Sequence, residues 1–203
     1  MARRLGFTIL SIHLLTAAAG AQHEGLVTGA LDKLVVQAED MPLTFSMAGS
    51  NAEGPSEHAA IFFRPEVLAA PTMPTGSILG VMAHLALDAD AGTAAERFGE
   101  NRTAEAIRVS LGDGSEGAEN VLDVRELAAD VAGTDEVIAF RVEYELQGVH
   151  LVEYRYRLRV ANAIVNLLVS GRVSEKGAEP GSLAEQASRI AERQASRLAS
   201  SRS

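Results

Sequence analysis

From Val137 to Ser170 apolar and polar residues alternate almost without interruption, and that period of two constrains the fold more than any other feature. Ile138, Phe140, Val142, Tyr144 and Leu146 alternate with Arg141, Glu143 and Glu145. Val152, Tyr154, Tyr156, Leu158 and Val160 alternate with Glu153, Arg155, Arg157 and Arg159. Successive side chains on a strand point to opposite faces, so the pattern predicts an antiparallel meander with one face on a core and one in water. Two connections set its register. A three-residue loop, Gln147-Gly148-Val149, puts Tyr144 opposite Val152 and Val142 opposite Tyr154, and every apolar residue then shares a face. A two-residue turn at Gln147-Gly148 puts Tyr144 opposite Leu151 and Glu153 on the apolar face, so the longer loop is expected. A two-residue turn at Ala161-Asn162 next sets Leu158 opposite Val165 and Tyr156 opposite Leu167, with Asn162 tolerating the positive φ.

The remaining elements are read from period and punctuation. Residues 23–41 carry Val27, Ala30, Leu31, Leu34, Val35 and Ala38 at helical spacing before Pro42, although Gly25 and Gly29 weaken the first half. A short strand over Leu43 to Met47, a polar loop from Gly49 to Glu57 and an aromatic strand from Ala59 to Arg64 follow. An extended connection from Ala69 to Gly76 leads to Ile78–Leu87, apolar enough for a central strand covered on both faces. Asp88 or Asp90 caps a helix running through Phe98 towards Ile107, with Ala91, Ala95 and Phe98 inward. Gly112 to Asn120 reads as a loop and Val121 to Leu127 as a strand. Ser182 and Glu185 form a capping box for a last helix with the stripe Leu183, Ala187, Ile190, Ala191 and Leu198, and residues 200–203 are expected to fray. Strands that come in hairpins define an α+β class: an antiparallel sheet with a C-terminal three-strand meander and helices packed on one face, in a single domain over residues 22–199.

The N-terminus addresses the chain. Arg3 and Arg4 precede an apolar run from Leu5 to Ala19, and Ala19-Gly20-Ala21 is a small-x-small cleavage site, the layout of a secretory signal peptide. A periplasmic or extracellular product starting at Gln22 is expected, with an uncleaved anchor as the alternative. The net charge of −9, more negative once Arg3 and Arg4 are removed, argues against nucleic acid and anionic lipid as partners. With no cysteine, disulfides, a lipidated cysteine, thiolate catalysis and thiolate zinc sites are excluded.

Arg155, Arg157 and Arg159 on one strand, Arg141 on its neighbour and Asn166 beside Arg157 form the candidate ligand-binding face. Arginine suits carboxylate, phosphate or sulfate, so a small anionic molecule or an acidic extracytoplasmic protein is the expected partner. The competing reading is a solvated face on which Glu143, Glu145 and Glu153 pair diagonally with these arginines. His23, His58, His84 and His150 show no ligand spacing, and His84 reads as a hydrogen-bonded core histidine, so no metal or cofactor is expected. The acidic stretch Asp113, Ser115, Glu116, Glu119 and Asp123 fails the EF-hand pattern at Val124. Asn101-Arg102-Thr103 is a glycosylation sequon, and Arg189, Arg193 and Arg197 would complement the dipole of the last helix. No nucleophile elbow or phosphate loop occurs, and Glu143 with Glu153 would face solvent, so the expected function is non-catalytic binding. The alternatives are a small hydrolase or isomerase with a pocket between helix and sheet, and an anchored structural envelope protein.

Several short motifs recur together: Glu39-Asp40-Met41-Pro42, Phe62-Phe63-Arg64, an Ala-rich helix with Phe98, Gly133-Thr134-Asp135-Glu136, and the Arg159 to Asn162 turn. Across residues 26–198 this order resembles secreted bacterial proteins of unassigned function related to the extracellular sensor domains of receptor Ser/Thr kinases. It is similar, more distantly, to PsbP-like α+β proteins. The resemblance implies a non-catalytic α+β fold and transfers no active-site residues. The disulfides of the former group and the lipidated cysteine of lipoprotein relatives of the latter have no counterpart here.

Overall fold

A computed structural model describes residues 25–41, 46–64, 75–100, 103–112, 120–146, 148–177 and 181–203. The signal segment, most of the extended connection, Asn101 and most of the acidic loop lie outside the described residues. Seven strands form one antiparallel sheet: β1 (Ser46–Ala52), β2 (Glu57–Phe63), β3 (Ile78–Leu87), β4 (Asn120–Leu127), β5 (Glu136–Leu146), β6 (Val149–Val160) and β7 (Ala163–Arg172), in the order β1-β2-β3-β7-β6-β5-β4. The helices are α1 (Leu31–Leu34), α2 (Ala91–Phe98), α3 (Ala104–Gly112) and α4 (Gly181–Ala199). The α+β class and the C-terminal meander are as the alternation predicts.

On the first face, Leu183, Ala187, Ile190, Ala191 and Leu198 of α4 are buried against the sheet, together with Tyr154, Leu158, Val165 and Leu167. Gly171 permits the docking: a Cβ there would meet Leu183 Cδ2 at 2.2 Å. The second face is not left bare. Phe98 and Ala94 of α2 pack on Ile164, while α3 covers Val124, Phe140 and Val142 through Ile107 and Leu111.

The hairpin β6–β7 has the expected register, Leu158 opposite Val165 and Tyr156 opposite Leu167. Its positive φ falls on Ala161 (+51°) and not on Asn162. The Asn162 side chain instead accepts from the Val27 N–H at 2.7 Å and donates to the Asp88 carbonyl at 2.9 Å, which ties the turn to two other segments.

The hairpin β5–β6 corrects the expected register. Leu146 pairs with Val149, so the connection is two residues long, with Gly148 at φ +76° and Tyr144 opposite Leu151. The three-residue loop suits a sheet with one dry and one wet face. Around β5 both faces are covered, so Phe140 and Val142 are buried and Ile138 and Tyr144 half-buried beside α3, while Arg141 and Glu143 turn into the first face.

Five further expectations are revised. Residues 25–41 do not form one helix: Gly29 takes φ +140°, only Leu31–Leu34 and a 3-10 turn at Ala38–Asp40 are helical, and the consecutive residues Leu34, Val35 and Val36 are all buried. The stretch read as a loop from Gly49 to Glu57 is largely β1 and its turn into β2, and the single helix after Asp90 is two. Asp90 does cap the first of these, accepting from the Thr93 N–H at 2.8 Å. The C-terminal residues do not fray: Arg202 forms a bridge with Val27, the Ser203 N–H donates to the Leu26 carbonyl at 3.1 Å, and the Arg202 guanidinium meets Asp135 at 2.8 Å. Arg193 and Arg197, read as dipole partners, reach across to the Asp40 carbonyl and carboxylate at 2.7 and 2.8 Å.

Candidate functional site

The second face carries the site because its helices cover only part of it. Diagonally across the strands, β2 presents Phe63, β3 Gly80 and Met82, β7 Leu168 and Ser170, β6 Glu153 and Arg155, and β5 Tyr144. Three adjoining cavities lie over these residues. The largest, about 260 Å³, is walled by Phe63, Leu79, Met82 and Leu168 and reaches Tyr144, Glu153 and Ser170. A second of about 170 Å³ shares Tyr144 and Glu153 with it and extends past Arg155 to Leu111 of α3. The third, about 150 Å³, shares Arg155 with the second and Leu168 with the first, and ends at Arg157 and Asn166. Together they make one groove with an apolar mouth and a polar floor.

The mouth is unusual for a water-facing surface. Phe63 is 49% exposed and Met82 40%, and the Phe63 ring lies over Gly80, where a Cβ would come within 2.9 Å of Cδ1. At the floor, Glu153 is buried and pairs with the Arg155 Nε–H, and the Ser170 hydroxyl donates to Glu153 Oε2 at 3.3 Å. Burial, reinforced by the Glu153 charge, pushes the Tyr144 hydroxyl up to about 12 even though Ser170 hydrogen-bonds to it. Tyr144 therefore stays protonated and acts as a hydrogen-bonding group. The floor thus offers fixed donors and acceptors to a polar group.

The arginine cluster expected from the alternation is divided by the register. Arg141 faces the other side, 2% exposed and paired with Glu143, which also accepts from the Gly177 N–H at 3.1 Å. Glu143 and Glu153, expected side by side in solvent, are buried on opposite faces. Arg155 stands opposite Phe140 rather than Arg141. Arg157 donates to the Arg97 carbonyl at 2.6 Å and lies 5.5 Å from the Phe98 ring centroid. Arg159 meets Glu136 at 2.8 Å and Asp135 at 3.5 Å. Arg155, Arg157 and Asn166 line the groove, and Arg159 belongs to a structural ion-pair cluster at the β6–β7 turn. That cluster holds Asp135 below the usual carboxylate range: burial opposes ionisation, but the Ala161 N–H, Arg202 and Arg159 outweigh it.

Phe63, Met82, Tyr144, Leu168 and Ser170 were not singled out from sequence. The only sequence signal for them is apolar or hydroxyl residues at alternate positions on strands whose second face is half covered. His58 is not in a flexible stretch but buried on β2, hydrogen-bonded with Ser50 at 2.6 Å. Among the described residues, one grouping has metal-ligand chemistry, Glu53, Glu57 and His84, and it lies outside the groove. Neither family models nor curated proteins match the chain.

Proposed function

We propose that this chain is an exported, non-catalytic binding domain, sensor-like in the sense of the proteins it resembles, and that the second-face groove takes a small amphiphilic molecule. The observation that carries this is the juxtaposition of an exposed apolar mouth, Phe63 and Met82, with a polar floor of buried Glu153 and half-buried Tyr144, Ser170 and Arg155. Ligand sites are typically concave and mainly apolar with a few fixed polar groups, and these adjoining cavities fit that description. The pairing of Glu153 with Arg155 favours an uncharged or zwitterionic polar end over the net anion first expected. A free carboxylate at Arg155 would sit beside the Glu153 charge. Export rests on the N-terminal layout alone.

The test is the melting temperature of the mature chain against a panel in which one apolar tail carries amide, hydroxyl, zwitterionic or carboxylate heads. A ligand at about 100 times its dissociation constant adds about 2.7 kcal/mol, a shift of several degrees. Amide, hydroxyl or zwitterionic heads should shift the melt and carboxylates should not. A carboxylate-only response would restore the anion reading, and a flat panel would remove the groove as a ligand site.

A further inference from the structure

Beyond the groove, we propose that Glu53, Glu57 and His84 bind a divalent first-row transition-metal ion, with zinc the best fit. Regular backbone holds all three. Glu57 opens β2 opposite Ala86, and Ala59 pairs with His84, so Glu57 and His84 are diagonal neighbours on the second face. Glu53 lies in the β1–β2 connection, which its N–H closes by donating to the Glu57 carbonyl at 3.0 Å. His84 Nε2 stands 3.1 Å from Glu53 Oε2 and 3.9 Å from Glu57 Oε2, and the three ligand atoms all fall within 4.8 Å of one another. Zinc bonded tetrahedrally at about 2.0–2.2 Å needs ligand atoms about 3.4 Å apart. The two His84 separations bracket that value and the Glu53–Glu57 separation stays within 4.8 Å, so side-chain adjustment can bring the three to corners of a tetrahedron.

Two other features suit an ion. Arg97 donates to the second oxygen of Glu57, Oε1, at 3.1 Å and is itself held by Asp88 at 3.0 Å. This leaves Oε2 turned to His84, the kind of outer partner that orients metal-ligating carboxylates. A neutral imidazole with two carboxylates also carries a charge of about −2, which matches a dication. The partly exposed position leaves the fourth corner to water. An imidazole in the set selects zinc-like ions over magnesium and calcium, which prefer oxygen alone. Bound there, the ion would staple the β1–β2 connection to β3, at the end of the strands away from Phe63.

Equilibrium dialysis of the untagged full chain against zinc tests this, with cobalt absorption as a second readout. The expected result is one ion per chain, cobalt bands of a four-coordinate site, and no competition from excess magnesium. Glu53→Gln and His84→Ala should each weaken binding by about 100-fold or more, beyond the usual contribution of an outer partner. The Glu53 side chain is half exposed, so Glu53→Gln should melt like the parent without metal and decides the matter even if His84→Ala folds poorly. A parent that binds no stoichiometric ion, or a Glu53→Gln variant that binds as tightly, overturns the proposal.

Discussion

At the scale of single residues, the most consequential pair is Arg141 with Glu143, both 2% exposed on the α4 side of the sheet. Burying two charges costs much of what their attraction returns, but removing one partner strands the other. Glu143→Ala should therefore destabilise the fold by about 3–5 kcal/mol in urea unfolding, because it removes a buried carboxylate that pairs with Arg141 and accepts from the Gly177 N–H. Sequence reading placed both residues in water, since charged residues on an alternating strand normally mark the wet face. Nothing local distinguishes a charge that faces solvent from one that faces a partner two residues away. Asp135 supplies a pH test. Its carboxyl is held below the ordinary range in the folded state, so its contribution is fully present above the unfolded value of about 3.9 and is lost as pH falls through the lower folded value. Stability should decline with acid below about pH 4, and Asp135→Asn should flatten that part of the profile; an unchanged acid limb would contradict the cluster at the β6–β7 turn.

At the scale of elements, legibility tracked how many faces a segment buries. Ile78–Leu87, the β6–β7 register and the Asp90 cap were readable because each depends on a local pattern or a single turn. The Ile78–Leu87 strand is nevertheless open on one side, where Met82 joins the groove. The β5–β6 register was not readable, because Phe140 and Val142 find an apolar partner in α3 while Arg141 and Glu143 find each other. Both registers hide the apolar residues, and only tertiary contacts choose between them. Residues 25–41 failed for a related reason: helical spacing exists on paper, yet the segment buries three consecutive residues beneath α4, held by the Gln194 amide donating to the Leu34 carbonyl at 2.8 Å. The seating of α4 on the sheet depends on Gly171. Gly171→Ala drives a methyl into Leu183 and should cost about 1–3 kcal/mol by overpacking. Leu183→Ala in the same chain should recover part of that loss, a coupling that two independent sites would not show.

At the scale of the whole molecule, the fold closes on itself through its ends, with Val27 bridged to Arg202 and Asn162 holding the Val27 N–H. That closure consumes the first face. What remains for recognition is the uneven cover of the second, where α2 and α3 leave the Phe63–Met82 side open above the polar floor. The class and the meander were legible because period and hairpin turns are local. The groove was not, because it arises from helices that stop short rather than from any motif, and the arginines that stood out in the alternation are taken up by Glu153, the Arg97 carbonyl and Glu136. The central claim is that this groove binds a small amphiphilic molecule through its apolar mouth, and the most direct measurement is fluorescence of N-phenyl-1-naphthylamine with the parent chain and a Phe63→Ala/Met82→Ala double variant. Both side chains are substantially exposed, so their loss should leave the urea midpoint nearly unchanged. Saturable enhancement by the parent and its loss in the double variant is the predicted result. No enhancement by the parent, or equal enhancement by both, would contradict it.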